Sequence, residues 1–336
     1  MRPAAWTVTW VVLATCVAVA QAAPPARQRP SGPPGRKRPS APLAQQRPKP
    51  LTPQQAQMLA DHFRGDSLVL TVPRLDAATA GPLAGAFTRM LGFHGLASLD
   101  ASSAAALTGF RGHTLAFTGL GTLDPEVATA LAGYKGEEKE ILFENLPGIR
   151  ADAARGLAGF EGRLSIRGPT MLDVEAAQAF GEFGGRELDL PSLAVLDPEV
   201  AGGLARYDGR LFLGGVTTID LETARALGEF SGNFLGLGLT VLEADAAAAL
   251  AKCKGELHLY GLRSLDADVA AALAECQGGL LLDGLSRLDP ASAKALAKYN
   301  GPRLSLRGLV ELPAGEAGRA LRSNPRIVLP ESFQRR

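Results

Sequence analysis

The sequence predicts an α/β fold, a solenoid of about eleven strand–helix repeats with a parallel sheet on one face and short helices on the other. A segment of about 23 residues recurs from near residue 51 to the C-terminus. Residues of one type recur at fixed places in each copy, and short L-x-L stretches alternate with Ala-rich stretches. A repeat of about 20–50 residues is typical of a solenoid, so these observations together predict the fold class.

The most regular copies are residues 255–277 and 278–300, which share the pattern G-x-L-x-L-x-G-L-x-x-L-D-x-x-x-A-x-A-L-A. Near the end of each copy lies an aromatic residue or Cys, at intervals of 23 or 24 residues with one interval of 26. We call this the aromatic column: Phe63, Phe87, Phe110, Tyr134, Phe160, Phe183, Tyr207, Phe230, Cys253, Cys276 and Tyr299. Its regularity predicts that these side chains fill the core.

An acidic residue precedes each Ala-rich stretch, at Asp76, Asp100, Asp124, Asp173, Asp197, Asp220, Glu243, Asp266 and Asp289. A carboxylate here can accept hydrogen bonds from the free N–H groups that open a helix. Pro follows the acid in three copies, at the first helical position where it loses no hydrogen bond. This acidic column therefore predicts helix capping rather than catalysis, which needs one perturbed pair.

Apolar residues follow the acid at positions +4, +7 and +10, for example Ala128, Leu131 and Tyr134. This spacing predicts one buried face of a helix of about three turns. A Gly two positions after the aromatic residue, as at Gly162 and Gly255, predicts the helix stop. The next L-x-L stretch is typical of a strand, and a helix between successive strands makes them parallel. The sheet face opposite the helices is expected to be open.

The L-x-L-x-G-L-x-x-L core resembles a bacterial leucine-rich repeat over roughly residues 65–310. The chain departs from that family's pattern because the usual Asn after the strand is replaced by Leu or Val, as at Leu120, Leu146, Val216, Leu262 and Leu285. The backbone groups of the turn must then find other hydrogen-bond partners, and the preceding Gly is one candidate for the residue that allows this. The resemblance implies an array that binds a partner rather than a catalyst.

Residues 1–22 are typical of an export signal, with Arg2, an apolar stretch and the cleavage motif Ala20-Gln21-Ala22. An uncleaved membrane anchor and a lipoprotein with a lipidated Cys16 remain alternatives, and only these two would place the protein on a membrane. All three predict export to the periplasm, the cell surface or the medium. Residues 23–50 are rich in Pro and Arg, carry no acidic residue and predict a disordered basic linker. No aromatic residue interleaves the basic ones, so specific nucleic-acid binding is not expected.

Residues 51–312 form the predicted solenoid, and residues 313–336 a C-terminal cap and tail. The segment 326–330 predicts a last edge strand closed by Pro330. The copy at residues 136–161 is longer, contains the charged run 137–140 and has Arg150 in place of the capping Asp. Such an irregular copy is either a binding feature or a tolerated surface insertion.

We find no nucleophile elbow, metalloprotease box or phosphate-binding loop. We therefore expect no enzyme activity, no catalytic or metal residue and no cofactor. Cys253 and Cys276 are interpreted as core residues, with a disulfide between neighbouring repeats as the alternative. His258 belongs on the opposite face of the sheet, which makes a zinc site with the two cysteines geometrically poor.

The outward strand positions differ from copy to copy, which a purely structural face would not require. They predict an apolar patch rimmed by charges, and such patches often mark interaction sites. We expect it to bind a protein or an envelope polymer; a structural spacer without a ligand and an enzyme with an unrecognised site are the alternatives. The candidate binding residues are Phe212, Leu235, Leu237, His258, Tyr260, Leu281, Asp283 and Arg307.

Overall fold

The computed structural model describes residues 50–136 and 138–334. Over these residues the chain forms one sheet of twelve parallel strands, in which every strand pairs with the next strand along the sequence. A helix follows each strand. This confirms the predicted α/β solenoid, with a parallel sheet on one face and helices on the other. The predicted export signal, the possible lipidation of Cys16 and most of the basic linker lie outside the described residues.

The strands are short, as the L-x-L pattern predicts. They are β1 Ser67–Thr71, β2 Met90–His94, β3 Thr114–Thr118, β4 Glu140–Glu144, β5 Arg163–Ile166, β6 Glu187–Asp189, β7 Arg210–Leu213, β8 Phe234–Leu237, β9 Glu256–Leu259, β10 Leu280–Leu281, β11 Leu304–Ser305 and β12 Ile327–Val328. The last of these lies within the predicted edge strand at residues 326–330 and pairs with β11.

The helices are α1 Pro53–His62, α2 Ala77–Ala84, α3 Ala101–Leu107, α4 Pro125–Leu131, α5 Ala151–Leu157, α6 Val174–Gly181, α7 Pro198–Leu204, α8 Leu221–Gly228, α9 Ala244–Leu250, α10 Ala267–Ala274, α11 Pro290–Leu296, α12 Glu316–Ser323 and α13 Glu331–Gln334. Helices α2 to α12 have seven or eight residues, about two turns rather than the predicted three. The apolar residue at position +10, such as Tyr134, therefore lies beyond the helix, although it is still buried. No helix in the described part of the chain has the length and apolarity needed to cross a bilayer.

The acidic column lies at the helix starts, as predicted, but only part of it caps. The carboxylates of Asp76, Asp100, Asp173, Asp220 and Asp289 accept the N–H of the third helical residue. Those of Asp124, Asp197, Glu243 and Asp266 make no capping hydrogen bond, and neither does Arg150. Capping alone therefore does not explain why the acid recurs at this position in nearly every repeat.

The aromatic column fills the core between helices and sheet. Phe110, Tyr134 and Phe160 are buried and their rings are stacked, with centroids 6.3 and 6.4 Å apart. A buried tyrosine needs a partner for its hydroxyl, and Tyr207 donates to the carbonyl O of Gly185 over 2.7 Å. Phe87 is an exception: it is 73% exposed, and Ala86 takes the core position beside it.

The Gly column does not stop the helices, because each helix ends several residues before its glycine; α4, for example, ends at Leu131 and the glycine is Gly136. The cause is close packing between repeats. A Cβ at Gly162 would collide with the carbonyl O of Lys139. The glycine therefore permits the chain to approach the backbone of the preceding repeat.

A second set of glycines stands in the turn after the strand, where Cβ atoms at Gly215, Gly261 and Gly284 would collide with carbonyl oxygens of the preceding turn. The Leu or Val that replaces Asn is buried. Val216 and Leu285 close a turn through their own N–H groups, which donate to the carbonyl O atoms of Leu213 at 3.2 Å and Leu282 at 3.1 Å, whereas the Leu146 N–H donates to the carbonyl O of Arg167, directly after the next strand. Close backbone stacking and these turns replace the missing Asn ladder.

Candidate partner-binding surface

The outward face of the sheet lies opposite the helices, and the side chains of Phe212, Phe234, His258 and Tyr260 on it keep part of their surface accessible. Strand register aligns its side chains into columns. The first column contains Thr114, Glu140, Arg163, Glu187, Arg210, Phe234 and Glu256. The second contains Ala116, Leu142, Ser165, Asp189, Phe212, Gly236, His258, Leu281 and Ser305.

Four half-buried rings, Phe212, Phe234, His258 and Tyr260, form what we call the aromatic surface. The centroids of Phe212 and Phe234 are 4.8 Å apart, those of Phe234 and His258 are 6.0 Å apart, and those of His258 and Tyr260 are 5.1 Å apart. These are ordinary separations for attractive aromatic pairs. Phe212, Phe234 and His258 come from strands β7, β8 and β9, Tyr260 directly follows β9, and the four rings form one continuous patch.

Glycines make room for these rings. A Cβ at Gly236 would lie 3.2 Å from Phe212, 3.2 Å from Phe234 and 3.6 Å from Tyr260, so three rings converge on bare backbone. At Gly214 a Cβ would lie 2.6 Å from the Tyr260 hydroxyl, which shows that Tyr260 leans across β8 towards β7. A larger residue at either glycine would displace a ring, so the glycines position the aromatic surface.

A ladder of alternating charges occupies the first column on the N-terminal side of the aromatic surface. Arg163 pairs with Glu140 at 3.4 Å and with Glu187 at 2.9 Å, and Arg210 pairs with Glu187 at 3.6 Å. Glu140 also accepts a 2.8 Å hydrogen bond from the Thr114 hydroxyl. We call this series, Glu140, Arg163, Glu187 and Arg210, the charge ladder; in it, every acid faces an arginine on a neighbouring strand.

Arg210 joins the charge ladder to the aromatic surface. Its guanidinium lies 5.2 Å from the centroid of Phe212 and 4.7 Å from that of Phe234, within the range of a cation–π contact. The same residue pairs with the buried carboxylate of Glu187. The side chain therefore takes part in two different kinds of interaction, one with a carboxylate and one with two rings.

Burial shifts the pKa values of three groups at or beside the aromatic surface. Burial raises the pKa of the Asp189 carboxyl, while the Ser165 hydroxyl, which donates to it over 3.0 Å, works in the opposite direction. Burial, and to a smaller extent the charge of Asp189, raises the pKa of Tyr260. Burial lowers the pKa of His258, against the opposing effects of Asp283 and Glu256. The shifts of Tyr260 and His258 favour their uncharged forms, which are easier to desolvate on binding than charged ones.

Two candidate residues were placed on the wrong face. Leu235 and Leu237 are fully buried and align with the inward leucines of β7 and β9, so they belong to the core. The outward residues of β8 are Phe234 and Gly236. The copy has one residue more between Gly232 and its first inward leucine and one residue fewer between Leu237 and Leu239, so counting from either end gives the wrong register, and only the strand pairing shows the correct one.

The other candidates lie where they were predicted. Phe212, His258, Tyr260 and Leu281 are outward and half-buried. Asp283 accepts hydrogen bonds from the Ser305 hydroxyl at 2.6 Å and from the backbone N–H of the exposed Arg307 at 2.8 Å. The structure thus brings these six residues together on the C-terminal half of the face.

The charge ladder was not foreseen, although its residues are visible in the sequence. Each member occupies the position directly before the first strand leucine, and those positions alternate in sign between copies. Phe234 was missed through the register error, and Glu256 because only two outward positions per copy were considered. The charge ladder, Phe234 and Glu256 all lie in the first column, so including that position of each copy would have identified them.

The irregular copy at residues 136–161 is explained by packing rather than by a ligand. Lys139 folds back so that its ammonium donates to the carbonyl O atoms of Gly112 at 2.5 Å and Arg111 at 3.1 Å, and lies 4.9 Å from the centroid of Tyr134. Glu138 pairs with Arg186 at 2.8 Å. These contacts favour the interpretation as a tolerated insertion.

Two arrangements that could suggest catalysis or metal binding have structural explanations. The carboxylates of Glu187 and Asp189 are neighbours on β6, but Arg163 lies 2.9 Å from the first and 3.8 Å from the second. Cys253 and Cys276 are free, buried thiols in the core, and burial raises the pKa of both, that of Cys276 to about 11. Within residues 50–136 and 138–334, no three His, Cys, Asp or Glu side chains are grouped to hold a metal ion.

Comparison with known proteins finds likeness in structure rather than in sequence. No family model matches the chain, and no curated protein matches it in sequence. Among solved structures, a chain of the Toll–Spatzle complex from Drosophila is similar, with a TM-score of 0.43 and 14% identity. The match covers 79% of this chain and 33% of the other, so the present chain spans about a third of its length. The strand–helix repeat itself is that of a leucine-rich-repeat-like protein.

Proposed function

We propose that this chain is an exported, non-enzymatic repeat protein of the bacterial leucine-rich-repeat type that binds a protein partner through its aromatic surface. The observation that carries the proposal is the set of four rings in mutual contact on an uncovered sheet face. Aromatic residues are enriched at protein interfaces, and buried aromatic anchors carry much of their binding energy. Export is supported by the signal-like sequence of residues 1–22.

The rigidity of the aromatic surface supports binding rather than a spacer role. The rings stand on paired strands, converge on Gly236 and are held from one side by Arg210. Binding to such a surface requires little ordering of side chains, which preserves affinity. A spacer has no need for this arrangement, since polar residues at these positions would keep the face more soluble.

The test is capture of a partner from extracts of the source organism by the immobilised chain. We expect Tyr260→Asp to abolish capture because it places a charge among the rings, while the fold is kept because Tyr260 is half-buried on the outward face. Phe87→Asp is the matched control, since Phe87 is 73% exposed and lies outside the sheet. Its capture should equal that of the wild type.

Three outcomes would contradict the proposal. Capture that is equal for the wild type and Tyr260→Asp would place the binding site elsewhere. Capture that survives protease treatment of the extract would identify an envelope polymer as the partner instead of a protein. Recovery of no partner that depends on Tyr260 would favour the structural spacer.

A further inference from the structure

Glu256 is the one acid of the first column that lacks a cation. Glu140 and Glu187 both pair with arginines across the strands. Glu256 aligns with Phe234 on one side and lies beside Gly279 on the other. Its carboxylate makes no hydrogen bond or ion pair to any described residue, although the side chain is half-buried.

The position of Glu256 leaves its carboxylate accessible to a ligand. Gly279 has no side chain to cover it, and a Cβ there would lie 3.0 Å from Cγ and 3.6 Å from Cδ of Glu256. A partly buried charge without a partner loses hydration and gains no ion pair in return. A cation that arrives with a binding partner would restore the missing interaction.

The charge ladder contains an internal example of the contact that we expect. Arg210 pairs with the carboxylate of Glu187 and lies over the rings of Phe212 and Phe234. Glu256 stands in the same column beside Phe234, with His258 following on its own strand. A second guanidinium at Glu256 would therefore meet a carboxylate flanked by aromatic rings, as Arg210 does.

Charges of both signs lie on this part of the face. The outward ionised side chains of β8, β9 and the end of β10 are Glu256 and Asp283, both acidic. Asp283 accepts hydrogen bonds from a hydroxyl and a backbone N–H but forms no ion pair. Arg303 and Arg307, near β11, are exposed, and neither forms an ion pair with a described residue. Of these four charges, Glu256 is the one beside the rings, and its unpaired carboxylate favours a cationic group over an anionic one at that position.

We infer that the partner protein inserts an arginine or lysine side chain beside Glu256, with apolar neighbours that cover the aromatic surface. This inference rests on the proposed function and names the chemistry of the partner. It predicts a basic residue flanked by apolar or aromatic residues at the centre of the partner's binding segment.

The experiment is selection of random peptides displayed on phage against the immobilised chain, in three forms: wild type, Glu256→Gln and Tyr260→Ser. We expect peptides selected on the wild type to contain Arg or Lys next to apolar residues. Glu256→Gln removes the charge but keeps the shape, and should weaken a selected peptide about tenfold, which corresponds to about 1.4 kcal/mol. Glu275→Gln, an exposed site on the helix side, is the control and should bind like the wild type.

Titration calorimetry with one selected peptide and its Arg→Gln version completes a double-mutant cycle. If the Glu256 carboxylate and the peptide's arginine interact, removing both charges should weaken binding no more than removing either one. Selected peptides that lack a basic residue but still require Tyr260 would overturn the inference and leave the proposed function intact. Peptides that bind Tyr260→Ser as well as the wild type, or no selection at all, would contradict both.

Discussion

The adjacent residues Phe234 and Leu235 give the sharpest test of the register of β8. The structure places Leu235 in the core with no exposed surface and Phe234 half-buried on the outward face. Truncation of a fully buried leucine to alanine costs about 2–5 kcal/mol through lost burial and the cavity left behind. For Leu235→Ala we expect the free energy of unfolding to fall by about 3 kcal/mol, because the neighbouring strands and the helix layer limit how far the structure can collapse into the cavity.

The change Phe234→Ala should cost only about 1 kcal/mol, since the ring loses contacts with Phe212 and Arg210 but leaves no cavity in the core. With an m value of about 3 kcal/mol/M in urea, the unfolding midpoint should fall by about 1 M for Leu235→Ala and by about 0.3 M for Phe234→Ala. Far-UV circular dichroism gives the midpoints. Hydrogen exchange of the β8 amides measures the local loss of stability, because repeat arrays open locally.

The two variants should also differ in binding. Phe234→Ala should weaken a ligand of the aromatic surface, while Leu235→Ala should bind normally under conditions in which it is folded. Equal losses of stability, or a larger loss for Phe234→Ala, would show that the register is wrong and that the aromatic surface does not exist as described.

Three further predictions concern packing and pH. In α7, Gly202→Ala should raise the free energy of unfolding by about 0.5–1 kcal/mol because nothing lies within 4 Å, whereas Gly203→Ala should lower it because its Cβ would lie 2.9 Å from the backbone of α6; urea unfolding compares the two. Tyr207→Phe should cost about 1–2 kcal/mol, since the buried carbonyl O of Gly185 loses its donor, and thermal unfolding measures this loss. Because burial lowers the pKa of His258 in the folded chain, the unfolded chain takes up the proton first as the pH falls below about 6.5, so stability should drop there more steeply in the wild type than in His258→Gln; urea midpoints at several pH values test the difference.

The fold was predictable because nearly every repeat carries the same pattern of inward-facing residues. The L-x-L stretches and the aromatic column impose the same inward positions in each copy, and the structure confirms them at residues such as Leu257, Leu259 and Tyr207. Where one copy breaks the pattern, the prediction failed. The extra residue before β8 moved Leu235 and Leu237 to the wrong face, and Phe87 was assigned to a place that Ala86 occupies.

Other features could not be predicted because they depend on atoms from different repeats. The sequence does not show that a Cβ at Gly162 would collide with the Lys139 carbonyl, so the glycine was mistaken for a helix stop. The charge ladder requires the register of two strand pairs before Arg163 can be placed between Glu140 and Glu187. Convergence of three rings on Gly236 likewise requires the direction in which Tyr260 leans.

Hydrogen–deuterium exchange of the chain, with and without a peptide selected on it, tests the central claim most directly. We predict protection on binding in β7, β8 and β9 and in the turn that follows β9, with no change in the helices α7 to α10. Protection confined to the helices, or to the region around Phe87, would contradict the assignment of binding to the aromatic surface.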